Sequence, residues 1–571
     1  MEDDRPTLYS GGRILVLDDE TPPAEALVVR KGRVAGLGAA AEMASLAGPS
    51  ARRVPLDGAT VMPGLIDTHP HLLHFGAFAE LLVDLADARD HDDIVARVRR
   101  RAAETPAGEW IMATPVGEPH YFLRRSWRDL AEGCLPDRHV LDRATRVHPV
   151  FIQAWAPVIP NVCALNSAGL AALGIDRETP GRVENVWIEK DARGEPTGRL
   201  TGSVNNYYTD DAFMNGLLRQ VPLLQPAAIL PGTRRAMAAY NRLGVTTVYE
   251  GHAMGRPELA AYGALRAEAA LTVRVLTALE AESYGLPWTR PLSMAEFDEH
   301  LTDALAMTER TDEWLRADGV TLSRGGPCWP GFLRMHDPYR GPYGEPTTGV
   351  TFVEPAKEER ALRFCATRGL RLNFIGAGYR DHDDFLSRAE AVAADVPAIR
   401  ERGWILQHAY LVTAEQARRY AALGFRVTTS MSFSWGKGDI LADRIGPHVW
   451  PDLVPLRRLL DAGMVVGCGT DWGPKNVFEH VQLAETHRFG GSGHRNDGPA
   501  QKVTRREALR MWTRDAARVL GWSGIGTLAP GSHADLIIVD RDPLTCPLDD
   551  LPTTRVLRTI VGGRTVFDAG V

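Results

Sequence analysis

VMPGLIDTHPHLLHF (Val61–Phe75) is the stretch whose reading decides the fold. An apolar run, Val61–Ile66, ends in Asp67-Thr68-His69-Pro70-His71. A short unbroken apolar run of this kind is the pattern of a strand buried on both faces, as in a parallel sheet. Its C-terminal end carries two histidines at i and i+2. Residues two apart on an extended chain point to the same side, so both imidazoles are expected to face one point. Two imidazoles converging at a strand end make half of a metal site.

Further along, short apolar strands alternate with amphipathic helices, the signature of a parallel α/β architecture. Eight strands are read: Val61–Asp67, Gly244–Glu250, Thr272–Ala278, Gly319–Ser323, Leu370–Gly376, Trp404–His408, Phe425–Ser430 and Met464–Thr470. Eight such units predict a (β/α)8 TIM-like barrel over residues 61–522, with its chemistry at the C-terminal strand ends. Both ends of the chain are β-rich. Residues 1–60 and 523–571 carry short strands around Gly11-Gly12, Lys31-Gly32, Asp57-Gly58 and Gly562-Gly563, and are expected to pair into a composite β-sandwich. Residues 76–240 are too long for one crossover and read as a large insertion containing a lid or cap. Residues 324–352, rich in Gly and Pro, form a long loop after the fourth strand, where function concentrates.

The chain has 571 residues, 44% hydrophobic and 24% charged, with a formal net charge of −7. Acids and bases are mixed along it, so neither a nucleic-acid stripe nor a polybasic membrane segment is expected. No apolar run reaches membrane-spanning length, and MEDDRPTLY lacks the apolar stretch of a secretory signal, so a cytoplasmic location is expected. Six scattered cysteines without a CxxC pair argue against a disulfide framework and a thiolate zinc site.

The strand ends form a constellation. The first ends at His69 and His71, the second at Glu250 with His252 just beyond, the sixth at His408 and the eighth at Asp471. His69, His71, His408 and Asp471 are the expected ligands of one mononuclear site. Such a metal lowers the pKa of bound water and polarises the scissile group. Asp471 is assigned as ligand or general base, and His408 as ligand or donor to a developing oxyanion. Glu250, His252, Asn373, Trp472 and Trp329 are the candidate substrate contacts. Arg324, Arg334, Arg340 and Arg380 are read chiefly as solvated surface residues; any of them could also clamp an anionic group.

These motifs resemble the amidohydrolase superfamily, specifically the amidohydrolase family 3 branch that includes N-substituted formamide deformylase-like proteins. VMPGLIDTHPHL is similar to that family's first metal motif. LNSAGLAALGI (165–175) and GEPTGRL (194–200) look like its insert motifs. LQHAYLVTAEQARRYAALGFRVTTS (406–430) and VVGCGTDWGP (465–474) match its last three barrel strands, and GIGTLAPGSHADLIIVDRDPL (524–544) its closing β-sandwich. The resemblance implies a metal-dependent hydrolase of non-peptide C–N bonds in small molecules, and a homodimer.

The same resemblance exposes departures. Thr321 and Gly325 stand where relatives carry a metal-bridging lysine and an aspartate, Asn373 and Ala377 where they carry a histidine and an aspartate, and Asn161 where the insert has a histidine. Threonine forms no carbamate and an amide oxygen is a poor zinc ligand. The expectation is therefore one divalent ion, zinc foremost with iron and manganese as alternatives, and a substrate that is an amide, formamide or cyclic amide. A non-hydrolytic lyase, decarboxylase, isomerase or cyclase on the same scaffold, and an inactive binding protein, are the competing readings.

Overall fold

The computed structural model describes residues 5–18, 23–117, 124–155, 158–209, 211–309, 311–325 and 328–570. Gly326 and Pro327 of the long loop thus lie outside the described residues. The barrel strands are β1 (Leu65–Asp67), β2 (Val245–Glu250), β3 (Arg274–Glu280), β4 (Leu315–Ser323), β5 (Leu372–Ile375), β6 (Ile405–His408), β7 (Arg426–Thr429) and β8 (Val466–Cys468). Each pairs in parallel with the next in chain order. The eight apolar runs are therefore the eight strands of a (β/α)8 barrel. β8 meets β1 through the Thr68 N–H, which donates to the Cys468 carbonyl at 3.2 Å. The buried Asp67 carboxylate completes the seam, accepting the Thr470 N–H at 3.0 Å and the Thr470 hydroxyl at 2.7 Å.

The opening stretch divides between two sheets. Thr60–Pro63 pairs antiparallel with Leu536–Val539 and parallel with Thr7–Ile14, in a mixed sheet built from both ends of the chain. Only Leu65–Asp67 enters the barrel. The hinge is Gly64, where a Cβ would fall 2.3 Å from the Thr246 side chain, so only glycine lets the chain cross against β2. The fully buried Arg274–Asp535 ion pair, 2.6 Å, ties β3 to the terminal sheet.

The insertion carries its own six-stranded sheet, running from Arg182–Val183 to Ile111–Ala113. Its core is separate and includes Leu85, Ile94, Ile111, Val150 and Ile152. Helix α1 (Leu72–Ala79) leads out from His71, and α2 (Pro226–Arg242) returns to β2. No helix among the described residues is long and apolar enough to cross a membrane. All six cysteines are free.

Candidate metal centre and catalytic mouth

His69 and His71 converge, but not by strand alternation. The strand ends at Asp67, whose carboxylate accepts the His69 N–H at 3.0 Å. His71 then sits in the left-handed region (φ 51°) as the residue before α1, and this turn swings its ring back over His69. The two Nε2 atoms lie 3.0 Å apart. Asp471 Oδ1 is 3.5 Å from His69 Nε2 and 3.3 Å from His71 Nε2. All three ligand atoms fall within 4.8 Å of one another. For ligands about 2.0–2.1 Å from a tetrahedral zinc, neighbouring donors are about 3.3–3.4 Å apart, so this donor set has the spacing of three ligands to one ion.

Protonation agrees. Burial holds His69 down to about 4 and His71 well below its ordinary value. Burial opposes ionisation of Asp471, but His69, His71 and His408 outweigh it and hold the carboxyl well below its usual range. Two neutral imidazoles and a carboxylate are the donors a divalent cation requires.

His408 stands beside this trio rather than within it. Its ring centroid is 5.1 Å from that of His69. Cys328 Sγ lies 3.0 Å from its Nδ1, while the buried Nε2 has no hydrogen-bond partner. His252, on the other side, has its ring 5.2 Å from that of His71 and its Nδ1 3.3 Å from Glu280 Oε1. Several of these residues hold strained left-handed backbone: His71, Ala253, Cys328, His408, Ala409 and Asp471. Each costs of order 1–3 kcal/mol, and such strain clusters at functional sites.

The remaining candidates are placed as follows. Trp472 packs 4.5 Å from Phe75 and 5.8 Å from His71, walling the mouth with Tyr207 and Trp155. Glu250 faces away: it accepts the Leu73 N–H at 2.9 Å and the Tyr262 hydroxyl at 2.7 Å, anchoring the start of α1. Trp329 donates its indole N–H to the Ile159 carbonyl at 3.0 Å. Asn373 donates from Nδ2 to the Gly251 carbonyl at 3.1 Å, near Thr321 Oγ1 at 3.0 Å, and the Thr321 hydroxyl donates to the same carbonyl. Arg324 and Arg334 are no substrate clamps; Arg324 is buried against Glu358, Asp381 and Asp384, and Arg334 pairs with Asp384. Lys475, held near 8 by burial, donates to the carbonyls of Pro70 (3.0 Å) and Asp471 (2.5 Å), stapling the two loops together. Sequence reasoning missed Tyr208, Glu280 and Cys328, which line the mouth from an insertion turn, the end of β3 and the long loop.

The approach of these loops is tight at Gly469, where a Cβ would lie 2.4 Å from His69 N and 2.5 Å from its Cβ. The neighbour is pinned backbone that cannot yield. Gly469→Ala is expected to lose about 1–3 kcal/mol by overpacking and to weaken metal retention. A thermal melt with metal analysis checks both.

Three further buried histidines, His382, His480 and His487, are each held at about 4 by burial. Their unfolded value is 6.5, so between pH 6.5 and 4 the unfolded chain binds more protons and stability falls as pH falls. Each is expected to cost about 1 kcal/mol at pH 5.5 relative to pH 7.5. A melting temperature that is flat over that interval, followed by scanning calorimetry, would contradict this.

A family model described as the amidohydrolase family matches residues 54–567. The N-substituted formamide deformylase of Arthrobacter pascens is 26% identical over 597 aligned positions, covering 98% of each chain. Among solved structures, a metal-dependent hydrolase from Pyrococcus horikoshii OT3 superposes with a TM-score of 0.71 at 22% identity, covering 95% of this chain and 99% of that one. An atrazine chlorohydrolase from Arthrobacter aurescens TC1 complexed with zinc gives 0.51 at 17% identity, covering 98% and 95%. At these identities the structural likeness speaks for the fold.

Proposed function

The chain belongs to the amidohydrolase family, and with it to the metal-dependent hydrolases of C–N bonds; from this premise we propose that it cleaves a small non-peptide amide, an N-substituted formamide foremost, using one divalent ion, zinc first. The observation that supports this most is the spacing of His69 Nε2, His71 Nε2 and Asp471 Oδ1, with the donors neutral, neutral and anionic. The formamide assignment draws on the relative that aligns end to end. A single ion is favoured because Thr321 and Asn373 tie each other and the Gly251 carbonyl into a neutral hydrogen-bonded knot where a second ion would need charged ligands.

His69, His71 and Asp471 would hold the ion, which supplies, when bound, an activated water at neutral pH and a polarised carbonyl. Asp471 takes the proton given up by the attacking water. Burial pushes the Cys328 thiol up to about 12, so it stays S–H. We assign that S–H as the donor to Nδ1 of His408, which places the ring's own proton on Nε2 and makes it a donor to the oxyanion rather than a ligand. Trp472, Phe75 and Tyr207 keep bulk water from the reacting carbonyl.

The test is elemental analysis joined to isotope labelling. The expected result is about one equivalent of divalent metal per chain, and transfer of 18O from labelled water into formate released from an N-alkylformamide. Fully active protein with less than about a tenth of an equivalent, or formate without label, would overturn the reading.

A further inference from the structure

At the end of the barrel opposite the mouth, where the strands begin, lies a cavity of about 610 Å³. Three parts of the chain meet there. Asp18 comes from just past the N-terminal strand Thr7–Ile14, and Arg426 and Val465 stand at the starts of β7 and β8. The third part is the helix Arg514–Leu520 with the linker that follows it, Gly521–Thr527. Small-molecule sites fill roughly 300–1,000 Å³ and favour such junctions.

The lining is basic, on a chain whose net charge is −7. It holds Arg426, Arg514 and Arg518 against one carboxylate, Asp18. Arg371, the residue before β5, stands close by. A Cβ on Gly521 would lie 3.3 Å from Arg426 Nη1 and 3.5 Å from Arg371 Nη1, so the two guanidinium groups flank the same lining residue. The neighbouring carboxylates are engaged elsewhere. Asp318 pairs with Arg371 at 2.9 Å, and Asp515 is shared between Arg510 at 3.1 Å and Arg518 at 3.3 Å. Arg426 is half-buried and forms no ion pair among the described residues. Its Nη1 donates to the carbonyls of Arg518 at 2.6 Å and Val519 at 3.4 Å. Burial, with the like charges of Arg371 and Arg518, holds its pKa below the ordinary arginine value. A cation withdrawn from water beside others of its sign is costly until an anion joins it.

The linker adds neutral donors. Gly521 and Gly524 have left-handed backbone (φ 65° and 78°), and the N–H groups of Ser523 and Gly524 meet no acceptor among the described residues. The indole N–H of Trp522 is also without a partner. Left-handed turns of this kind present backbone N–H groups to anions.

We propose that this cavity binds a phosphate-bearing anion, from free phosphate up to the size of a nucleotide, with Arg426 and Arg518 as its charged contacts. Guanidinium groups meet phosphate oxygens in pairs. A phosphate group offers close to two negative charges and three acceptor oxygens, which suits several arginines better than a single carboxylate does. The bound anion joins the terminal sheet, the barrel floor and the last helix. The proposal is independent of the hydrolytic reading of the mouth.

The test is isothermal titration calorimetry on the full-length, metal-loaded protein, with inorganic phosphate, pyrophosphate and AMP as separate probes. The expected result is one saturable site per chain, weakened by added salt, with pyrophosphate tighter than phosphate. AMP tighter than phosphate identifies a nucleotide-like ligand; AMP no tighter identifies the phosphate group alone. Arg426→Gln and Arg518→Gln are each expected to weaken binding about tenfold or more. Arg518 has a side chain 52% exposed, so its variant serves if Arg426→Gln, which gives up two bonds to the helix end, does not fold. Phosphate also ligates metals, so His71→Ala is titrated alongside and is expected to bind as the wild type does. No saturable binding of any probe, unchanged affinity in both arginine variants, or loss of binding in His71→Ala would overturn the proposal.

Discussion

Asp471→Asn is expected to lower kcat/KM on an N-alkylformamide by about 10³–10⁴, or about 4–5.5 kcal/mol of transition-state stabilisation. The substitution keeps the shape of the side chain, so its cost isolates the loss of charge and basicity. In the wild type the carboxylate lies 3.5 Å and 3.3 Å from the two imidazole Nε2 atoms, and the Asp471 N–H donates to the His69 carbonyl at 2.8 Å. That backbone bond survives the change, so the amide oxygen occupies the place of the carboxylate oxygen. An amide, however, cannot accept the proton of an attacking water. The fold is expected to hold, because the amide keeps the shape of the side chain and its backbone anchor to His69, although it gives up the attraction of the neighbouring histidines for the carboxylate. The assay is run at saturating zinc to separate catalysis from affinity. A fall of less than tenfold, with metal bound, would show that another group removes the proton.

The barrel was legible in the sequence because its strands are buried on both faces and so read as apolar runs, and because the spacing between runs leaves room for one helix each. The long first crossover announced the insertion for the same reason. His69, His71 and Asp471 were legible because they stand just past strand ends. The histidine pair converges for a reason other than strand alternation: the left-handed turn at His71 aims the second ring, and no alternation pattern encodes it. Position at a strand end was an incomplete guide elsewhere. Glu250 ends β2 as expected, yet the open N–H of Leu73 and the Tyr262 hydroxyl draw it behind the mouth. From sequence Arg324 looks like a solvated residue that could also clamp an anion; Glu358, Asp381 and Asp384, more than thirty positions later, draw it inward instead. Tyr208 carried no signal, since its contact with His252 depends on how the insertion folds over strands distant in sequence.

His71→Ala is expected to abolish metal binding, from about one equivalent to less than a tenth. The donor set among the described residues is small: His69, His71 and Asp471 are the only group whose ligand atoms all lie within 4.8 Å of one another. Removing one imidazole leaves two protein donors, too few for a closed or catalytic zinc site. His408 and His252 do not substitute. Nδ1 of His408 faces Cys328 at 3.0 Å and its Nε2, without a partner, lies outside the converging donor group, while the nitrogens of His252 face the Tyr208 hydroxyl and Glu280. Stability supplies an independent readout. A ligand that binds only the folded chain raises its stability by about 2.7 kcal/mol at a free concentration one hundred times Kd. Wild-type protein stripped with chelator is therefore expected to gain about 2 degrees in Tm on adding zinc at that excess, and His71→Ala none. Alanine at a φ of 51° also changes the intrinsic stability of the turn, so the comparison is the zinc-induced shift within each protein, not Tm between them. His252→Gln is the control: its ring neighbours the site without entering the donor group, and the variant is expected to keep its equivalent of metal. A zinc-induced shift in His71→Ala equal to that of the wild type would place the ion somewhere other than between the first strand and the eighth.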